Sequence, residues 1–395
     1  MIRFDEAVAL VAEAARPLGS EQVSLADAHR RVLAEPVKAA ITAPPVDVSA
    51  MDGYALRDAD LEAGCRRFCL IGESFAGQGF HGEVPEGSCV RIFTGAPVPA
   101  GADRVVVQEQ VDRDGDHALV RDGHGPARHI RKAGSDFRKG DCLLEPGTVL
   151  GPRALVAAAA ADIGELTVFR RPQLIILATG DELAEPGQAR LSPERIPESV
   201  SYGVAALCAE AGASFLGVTR LADDLGAMQR AASAALEAAD VVVVTGGASV
   251  GERDFAKTMF EAAGLDLIFS KVAIKPGKPV WLGRAGGRLV MGLPGNPSSA
   301  LVTARLLLVP LLLGMGGRAP MTALRWRSLP LAAELAATGG RETFSRGHER
   351  DGAAWLFDHQ DSSAQKVLAD ATLLIRRPPG DIPVPVGSLV SVLDF

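Results

Sequence analysis

Residues 166–314 repeat one pattern, in which a short apolar strand is followed by a helix. The strand segments are "QLIILATG", "ASFLGVTRL", "DVVVVTGG", "LIFSKVAIK" and "RLVMGLPG", and helices are expected at 199–211, 225–239, 252–263 and 298–313. A segment with four consecutive valines has no polar face to offer to water, so such strands are buried on both sides. The pattern predicts a doubly wound, mainly parallel α/β sheet with helices on both faces.

The rest of the chain predicts additional domains, because 395 residues are more than one hydrophobic core usually holds. Short β-branched runs between Gly- and Pro-rich turns predict an inserted β domain. Before it we expect two helices, the second starting at "SLAD", where Ser24 and Asp27 can form a capping box. The predicted domains are a helical domain (1–48 and 137–165), the inserted β domain (49–136), the α/β domain (166–318) and a C-terminal small β-barrel domain (319–395).

Composition excludes several classes of protein. The formal net charge is −7 and no run of Lys or Arg forms a basic face, so we expect no nucleic-acid partner. The most apolar run, "LLLVPLLLG" at 306–314, is too short for a membrane span, and Pro310 is expected to interrupt it, so we expect no membrane partner. Five cysteines, an odd number, without a secretory signal favour reduced thiols and a cytoplasmic location.

Three Gly-rich turns follow strands of the predicted sheet: "ATGDEL" (178–183), "TGGASVGERD" (245–254) and "GLPGNPSSA" (292–300). Ligands of open α/β sheets bind beyond the carboxyl ends of the strands. A turn that leads into a helix also presents unpaired N–H groups to an anion. An anionic ligand and a plain reversal of the chain are equally compatible with any one turn. None of the three is a Walker A loop, because no Gly-Lys-Ser/Thr follows.

Carboxylates follow the same strands, at Asp181, Glu182, Asp223, Asp224 and Asp254. Acids that converge on an anion site repel the anion unless a divalent cation lies between them, and an all-oxygen ligand set suits Mg²⁺. The alternative is that these residues cap helices.

Three lysines lie in "SKVAIKPGKPVWLG" (270–283), at Lys271, Lys275 and Lys278. On an extended strand Lys271 and Lys275 share a face, because they are an even number of residues apart. Next to anion-binding turns, the stiff Pro-Gly-Lys-Pro segment favours an anion site over a solvated basic strand.

Six sequence blocks together resemble one family. They are "SAMDGYA" (49–55), "RIFTGAPVP" (91–99), "ATGDEL" (178–183), "VVTGGASVGERDF" (243–255), "KVAIKPGKP" (271–279) and "GLPGNPSSA" (292–300). These blocks resemble the molybdopterin molybdenumtransferases of the MoeA type, which are similar to the E domain of gephyrin. The resemblance is specific through residue 314 and then rests on "FSRG" (344–347) and "HQDSS" (359–363).

The resemblance implies a function and an assembly. Such enzymes take adenylylated molybdopterin and molybdate, cleave the pyrophosphate-like link with Mg²⁺, release AMP and leave molybdenum on the dithiolene. The resemblance implies a homodimer, with the helical domain as the dimerisation domain and the α/β domain as the molybdopterin-binding domain. It also implies transient contacts with molybdopterin adenylyltransferase and with apo-molybdoenzymes.

The resemblance also implies roles for individual residues. The residues expected to act in catalysis are Asp52 and Thr94, reaching across the dimer, with Asp136, Glu182, Asp223, Asp254, Lys271 and Lys275. Of these, Glu182, Asp223 and Asp254 would hold Mg²⁺, and the lysines would hold phosphate and molybdate. The residues expected to bind or shape the site for substrate are Gly246, Gly247, Ser249, Lys278, Pro294, Pro297 and Ser299, with Arg346 and Ser362 closing the oxyanion pocket.

Two positions depart from the family pattern. Val200 in "ESVS" replaces the usual Asn, which weakens a helix cap or a pterin contact, and Ser135 replaces the usual Glu between Gly134 and Asp136. Two other functions stay open. A molybdopterin adenylyltransferase is disfavoured by the two additional β domains, and a non-catalytic gephyrin-like scaffold is disfavoured by the intact acids and lysines.

Overall fold

The structure is a computed structural model that describes residues 1–246 and 255–395. The helices of these residues are α1 Phe4–Ala14, α2 Asp58–Glu62, α3 Pro152–Ala160, α4 Val200–Glu210, α5 Leu225–Ala238, α6 Phe255–Thr258, α7 Pro297–Thr303, α8 Val309–Met315 and α9 Lys366–Asp370.

The strands up to the first strand of the α/β sheet are β1 Ser20–Ser24, β2 Val37–Lys38, β3 Val48–Ser49, β4 Gly53–Leu56, β5 Arg67–Ser74, β6 Ser88–Ile92, β7 Arg104–Val107, β8 Val111–Asp114, β9 His117–Val120, β10 Ile130–Arg131, β11 Cys142–Leu144, β12 Glu165–Phe169 and β13 Gln173–Thr179. The later strands are β14 Leu183–Ala184, β15 Ile196–Pro197, β16 Ser214–Leu221, β17 Val241–Thr245, β18 Asp266–Phe269, β19 Ile274–Lys275, β20 Trp281–Ala285, β21 Arg288–Leu293, β22 Arg327–Pro330, β23 Glu342–Arg350, β24 Ala353–Leu356, β25 Leu373–Arg377 and β26 Leu389–Asp394.

The chain divides into two compact units. The first unit comprises residues 1–22, 30–34 and 167–395, and the second comprises residues 23–29 and 35–166.

The core of the first unit is a six-stranded sheet with the order β16-β13-β17-β21-β20-β18. The four strands from β16 to β21 are parallel, and all five residues of β17 are buried, as the run of valines predicts. Strand β20 is antiparallel to both of its neighbours, β21 and β18, and it is absent from the predicted set of strands. The parallel α/β prediction is therefore confirmed for four strands, and an antiparallel edge is added. The segment "LIFSKVAIK" forms two strands, of which only β18 joins this sheet.

Helix α7 continues into α8 through a π-helical turn at Ala304–Leu308, so Pro310 does not interrupt the helix as the sequence predicts. A π turn shifts the hydrogen-bond partners by one residue and so accommodates a proline, which lacks the N–H and crowds the carbonyl before it. The helical run Pro297–Met315 is long and apolar enough to cross a membrane, but 83% of its most apolar window is buried inside the protein. We therefore interpret it as a core helix.

Helix α1 packs against α8 and joins the core of the first unit. Its buried residues recur at helical spacing, at Phe4, Ala7, Val8, Val11 and Ala14. This packing places residues 1–22 with the α/β sheet, whereas the sequence prediction groups them with residues 137–165.

The prediction of a second helix near the N-terminus is wrong. Ser24 accepts a hydrogen bond from the backbone N–H of Asp27 at 3.3 Å, but only the 3₁₀ turn Leu25–Asp27 follows. The cap forms, but no apolar face extends the turn into a helix.

The C-terminal part of the first unit forms a second sheet, with the order β19-β23-β25-β26-β22 and with β24 paired to β23. Leu331, directly after β22, forms a bridge to Ala354 in β24, so the sheet curls back on itself as in a small barrel. Strand β19 pairs in parallel with β23, so the lysine segment continues from the α/β sheet into this one.

The second unit is built around a six-stranded sheet with the order β7-β4-β6-β5-β9-β8. Its core combines Tyr54, Leu56, Phe68, Cys89 and Val106. These strands lie within residues 49–136, where the short β-branched runs predict an all-β module.

Candidate active site

A cavity of about 1550 Å³ opens in the first unit at the carboxyl ends of the parallel strands. Typical ligand pockets measure about 300–1,000 Å³, so this one has room for more than one ligand group. The lining includes residues at the ends of β13, β17 and β21, together with residues of β23 and of the segment 359–363. The lysine segment 275–279 also lines the cavity.

The turns after β13, β17 and β21 pack backbone against backbone. Gly246 has φ 88°, and a Cβ atom there would lie 2.3 Å from the carbonyl oxygen of Thr179. A Cβ atom on Gly295 would lie 3.3 Å from the Cα of Gly246. Glycine is therefore required at Gly246 both by conformation and by space. Gly247 and Ser249, also predicted to bind substrate, lie outside the described residues.

Two of the predicted carboxylates line the cavity, Glu182 and Asp223. The other two that the structure describes bind backbone N–H groups, and one of them, Asp224, caps a helix as the alternative interpretation predicts. Asp181 accepts a hydrogen bond from the N–H of Asp223 at 3.0 Å, and Asp224 caps α5 through the N–H of Ala227 at 2.6 Å. Asp254, the third predicted metal ligand, lies outside the described residues.

Lys275 and Lys278 line the cavity, but Lys271 does not. The predicted shared face of Lys271 and Lys275 requires one extended strand, and the structure contains only the two-residue strand β19. The chain turns directly before β19, where the N–H of Ile274 donates to the carbonyl of Val272 at 2.9 Å. Within residues 1–246 and 255–395, neither Lys275 nor Lys278 forms an ion pair with a carboxylate.

Pro294, Pro297 and Ser299, at and before the start of α7, line the cavity together with Ser362. The side-chain amide of Asn296 donates to the Ser362 hydroxyl at 2.8 Å. These contacts place two hydroxyl groups and the start of a helix on the same side of the cavity as the lysine segment.

Arg346 holds the segment 359–364 in place. Its side chain is 1% exposed and does not line the cavity. The guanidinium donates to the carbonyl of Asp361 at 3.0 Å, to the carbonyls of His359 and Ala364 at 3.4 Å each, and to the Ser298 hydroxyl. Burial lowers the pKa of the Arg346 guanidinium, and the negative charge of Asp361 partly opposes this shift. The arrangement makes Arg346 a support for Ser362.

We expect Arg346→Met to lower the free energy of unfolding by about 2 kcal/mol, because three carbonyl groups lose their charged donor. Limited proteolysis should also cut the segment 359–364 faster. Arg350→Met on the same strand is the control, since the Arg350 side chain is 71% exposed. Equal denaturation midpoints and equal cleavage rates for the two variants would show that Arg346 does not support this segment.

Asp52 and Thr94 lie together in the second unit. The N–H and the hydroxyl of Thr94 donate to one carboxylate oxygen of Asp52 at 2.7 and 2.8 Å. These two hydrogen bonds hold the pKa of the Asp52 carboxyl below its usual value, and the charge of Arg91 adds to the effect. Asp52 is therefore kept ionised.

Thr94→Val should raise the pKa of Asp52, because one of its two hydrogen bonds is removed. A carboxyl group whose pKa is depressed in the folded state stabilises the fold above its unfolded pKa and loses this contribution as the pH falls through its folded pKa. In Thr94→Val this loss should begin at a higher pH. A carboxyl titration of Asp52 by NMR measures the shift, and an unchanged Asp52 pKa would contradict the assigned hydrogen bond.

The turn at Asp136 and Ser135 belongs to the same unit. Both side chains are exposed, and the backbone N–H of Ser135 donates to Lys132 at 3.0 Å. The N–H of Asp136 donates to Ala43 at 3.1 Å. Since backbone hydrogen bonds form this turn, the departure at Ser135 leaves it intact.

The departure at Val200 also leaves its helix intact. The carboxylate of Glu198 accepts hydrogen bonds from the backbone N–H of Ser201, at 2.9 Å, and from the Ser201 hydroxyl. The bond to the backbone N–H caps the start of α4. Val200 itself is 8% exposed and lines the cavity. The substitution therefore changes the chemistry of the cavity wall rather than the start of the helix.

Sequence reasoning missed several residues of the cavity wall, among them Glu198, Arg341, Thr343 and Ser345. The last three alternate in "RETFSRG", so a strand pattern in this segment could have placed them on one face.

Comparisons with known proteins agree with the fold and with the motifs. Residues 2–162 match the MoeA N-terminal region (domains I and II), and residues 175–314 match the probable molybdopterin-binding domain. A crystal structure of a molybdopterin biosynthesis MoeA protein from Pyrococcus horikoshii superposes with a TM-score of 0.84 at 26% identity, covering 100% of both chains.

Curated relatives extend the agreement over the whole chain. The molybdopterin molybdenumtransferase of Haemophilus influenzae is 37% identical over 337 residues, which cover 84% of this chain and 81% of the relative. Molybdopterin molybdenumtransferase 2 of Mycobacterium tuberculosis is 33% identical over 398 residues, covering 98% of each chain. The family predicted from the sequence motifs is confirmed, and the chain belongs to the molybdopterin molybdenumtransferases of the MoeA type.

Proposed function

We propose that this protein is a transferase of molybdenum cofactor biosynthesis that inserts molybdate into adenylylated molybdopterin and releases AMP. One observation supports the proposal above all others. Two carboxylates, Glu182 and Asp223, and two lysines without carboxylate partners in the described part of the chain, Lys275 and Lys278, line the same cavity. This combination suits a reaction between an oxyanion and a phosphorylated substrate.

The lysines are suited to hold a small dianion. Each ammonium group carries a full positive charge and three donors, and hydrogen bonds from a charged donor are about twice as strong as neutral ones. Lys278 stands beside the start of α7, where Ser299 and Ser362 add hydroxyl groups. We assign molybdate and the substrate phosphates to this group of donors.

The carboxylates are suited to hold Mg²⁺. Glu182 and Asp223 offer oxygen ligands in the same cavity, and Mg²⁺ prefers few carboxylates together with waters and substrate phosphates. The third ligand in this proposal is Asp254, as the family resemblance implies. When bound, Mg²⁺ offsets the negative charge that develops as AMP leaves.

The family resemblance supplies the rest of the proposal. It includes a cytoplasmic homodimer, in which Asp52, Thr94 and Asp136 act at the active site, and transient contacts with molybdopterin adenylyltransferase and apo-molybdoenzymes. Asp52, kept ionised by Thr94, is suited to orient water or to place a cation.

Two other functions are less well supported. A molybdopterin adenylyltransferase needs only the α/β domain, whereas the N-terminal MoeA match over residues 2–162 adds a region that such an enzyme does not require. A scaffold without catalysis has no use for two lysines and two carboxylates in one cavity.

Reconstitution of a molybdoenzyme tests the proposal. The purified protein is given adenylylated molybdopterin, molybdate and Mg²⁺, and an apo-molybdoenzyme is added. We expect the recovered molybdoenzyme activity to require all three components. A folded protein that restores no activity under these conditions would rule out the enzyme function.

A further inference from the structure

Strand β23 presents a row of polar side chains to the cavity. Arg341, directly before the strand, and Thr343 and Ser345 within it line the cavity and are half-buried, whereas Glu342 and Phe344 between them are buried, although Phe344 also borders the cavity. This alternation follows from the pleat of a β-strand. We call Arg341, Thr343 and Ser345 the β23 row.

The β23 row lies beside one of the cavity lysines. Strand β19 pairs in parallel with β23 so that Lys275 is opposite Thr343. One guanidinium nitrogen of Arg341 donates to the carbonyl of Ile274, the residue before Lys275, at 3.3 Å. This contact fixes the Arg341 side chain next to the base of Lys275.

In the described parts of the chain, the guanidinium of Arg341 has a positive charge without a carboxylate partner and donors that form no hydrogen bond. No salt bridge to Arg341 occurs in the described parts of the chain, and its guanidinium has five N–H donors, of which one is used at Ile274. Thr343 uses its hydroxyl only for a long hydrogen bond to the carbonyl of Arg341, at 3.3 Å. An anionic oxygen would offer both groups a stronger partner.

The spacing of the row fits one small anion. Alternate residues of a strand lie about 6.6–6.8 Å apart, and each hydrogen bond spans about 2.7–3.2 Å. Arg341 and Thr343 are alternate residues, so their donors lie on the same face and one tetrahedral oxyanion between them can accept hydrogen bonds from both. The donors at α7, by contrast, approach the cavity from the helix side, at Ser299 and Ser362.

We propose that Arg341 and Thr343, with Lys275, form a second oxyanion subsite in the cavity, which binds a tetrahedral dianion. This inference rests on the proposed function, whose reaction brings two such groups into one cavity: free molybdate and the phosphate of the AMP that is released. The row recognises the chemistry that both share, and the experiment identifies the source.

Equilibrium dialysis of the full chain tests the subsite in buffer without phosphate or sulfate at constant ionic strength. The probes are molybdate alone and AMP alone. We expect Arg341→Gln to weaken binding of at least one probe by about tenfold, because a charge-assisted pair is lost, and the affected probe identifies the source of the dianion. Thr343→Val, which keeps the shape of the side chain, should weaken the same probe by about threefold.

Arg350→Gln is the matched control, because Arg350 lies on the same strand, its side chain is 71% exposed and it does not line the cavity. Both affinities should stay within about twofold of the parent value in this variant. The subsite is refuted if Arg341→Gln leaves both affinities unchanged, if Arg350→Gln weakens them equally, or if the parent protein binds neither probe. Should Arg341→Gln fail to fold, unchanged affinities in Thr343→Val overturn the proposal. Neither probe requires pterin or turnover, so this result is independent of the reconstitution assay.

Discussion

Lys275→Ala is expected to raise the molybdate concentration for half-maximal AMP release by roughly 100-fold, since it removes a charged donor from the oxyanion site. Lys275 lines the cavity, and no carboxylate partner in the described residues competes for its charge. The affinity for adenylylated molybdopterin should change by no more than about twofold, because the phosphates keep Lys278 and the carboxylate-bound cation. A molybdate titration at saturating pterin substrate measures the first quantity, and binding of the pterin substrate without molybdate measures the second.

Lys139→Ala is the control for this variant, because Lys139 is exposed and lies outside the cavity. Both quantities should be unchanged in it. Equal losses of molybdate response and pterin affinity in Lys275→Ala would move this lysine to the pterin site.

Gly277→Ala should lower the free energy of unfolding by about 3 kcal/mol, the sum of backbone strain and a steric clash. Gly277 has φ 102°, and a Cβ atom there would lie 2.2 Å from the Cγ2 methyl of Thr303 in α7. Because Gly277 separates Lys275 from Lys278, the displaced segment should also lose molybdate affinity. Chemical denaturation measures the stability, and equilibrium dialysis measures the affinity.

Two further variants separate the two causes. Gly287→Ala is the control for backbone strain alone, because Gly287 has φ 77° and no atom lies within 4 Å of its Cβ position. Thr303→Ser removes the clashing methyl group and keeps the hydroxyl, which donates to Ser299 at 2.8 Å. When it is combined with Gly277→Ala in one variant, Thr303→Ser should therefore recover part of the stability that Gly277→Ala loses. If it recovers none, or if Gly287→Ala is equally destabilising, the clash with Thr303 is not the cause.

The sequence predicts best where one local pattern decides the structure. The run of valines in β17 is typical of a strand that is covered on both faces. The alternation of such strands with helical segments predicts the α/β sheet. The turns after β13, β17 and β21 are recognisable from their glycines, and the cavity lies where such turns meet. Of the cavity residues that the sequence predicts, Glu182 lies in the turn after β13, Asp223 follows β16, and Lys275 and Lys278 lie in the segment that begins at β19.

Prediction fails where a distant segment determines the outcome. Lys271 lies outside the cavity, and the residue after it, Val272, forms a bridge to Ile2 near the amino terminus, a contact that the local sequence does not reveal. Pro310 is tolerated because the π turn before it removes the conflict, which no propensity scale records. Arg341 enters the cavity through the pairing of β19 with β23, a contact between segments that are 68 residues apart in the register Ile274 to Glu342.

Arg346 shows a different limit. Its motif predicts a residue that closes the oxyanion pocket, but a motif cannot distinguish a side chain that binds substrate from one that holds a neighbouring segment in place. Its guanidinium donates hydrogen bonds to the carbonyls of Asp361 and Ala364, and these contacts are visible only in the folded chain.

The central claim is that the acids and lysines of one cavity bring an oxyanion and a phosphorylated pterin together for reaction. Its most direct test is release of AMP from adenylylated molybdopterin with Mg²⁺, measured with and without molybdate, by the parent protein and by Glu182→Gln. We predict AMP release that molybdate accelerates in the parent protein and that falls at least about 100-fold in Glu182→Gln, as a lost metal ligand requires. Release that does not respond to molybdate, or that persists unchanged in Glu182→Gln, would contradict the claim.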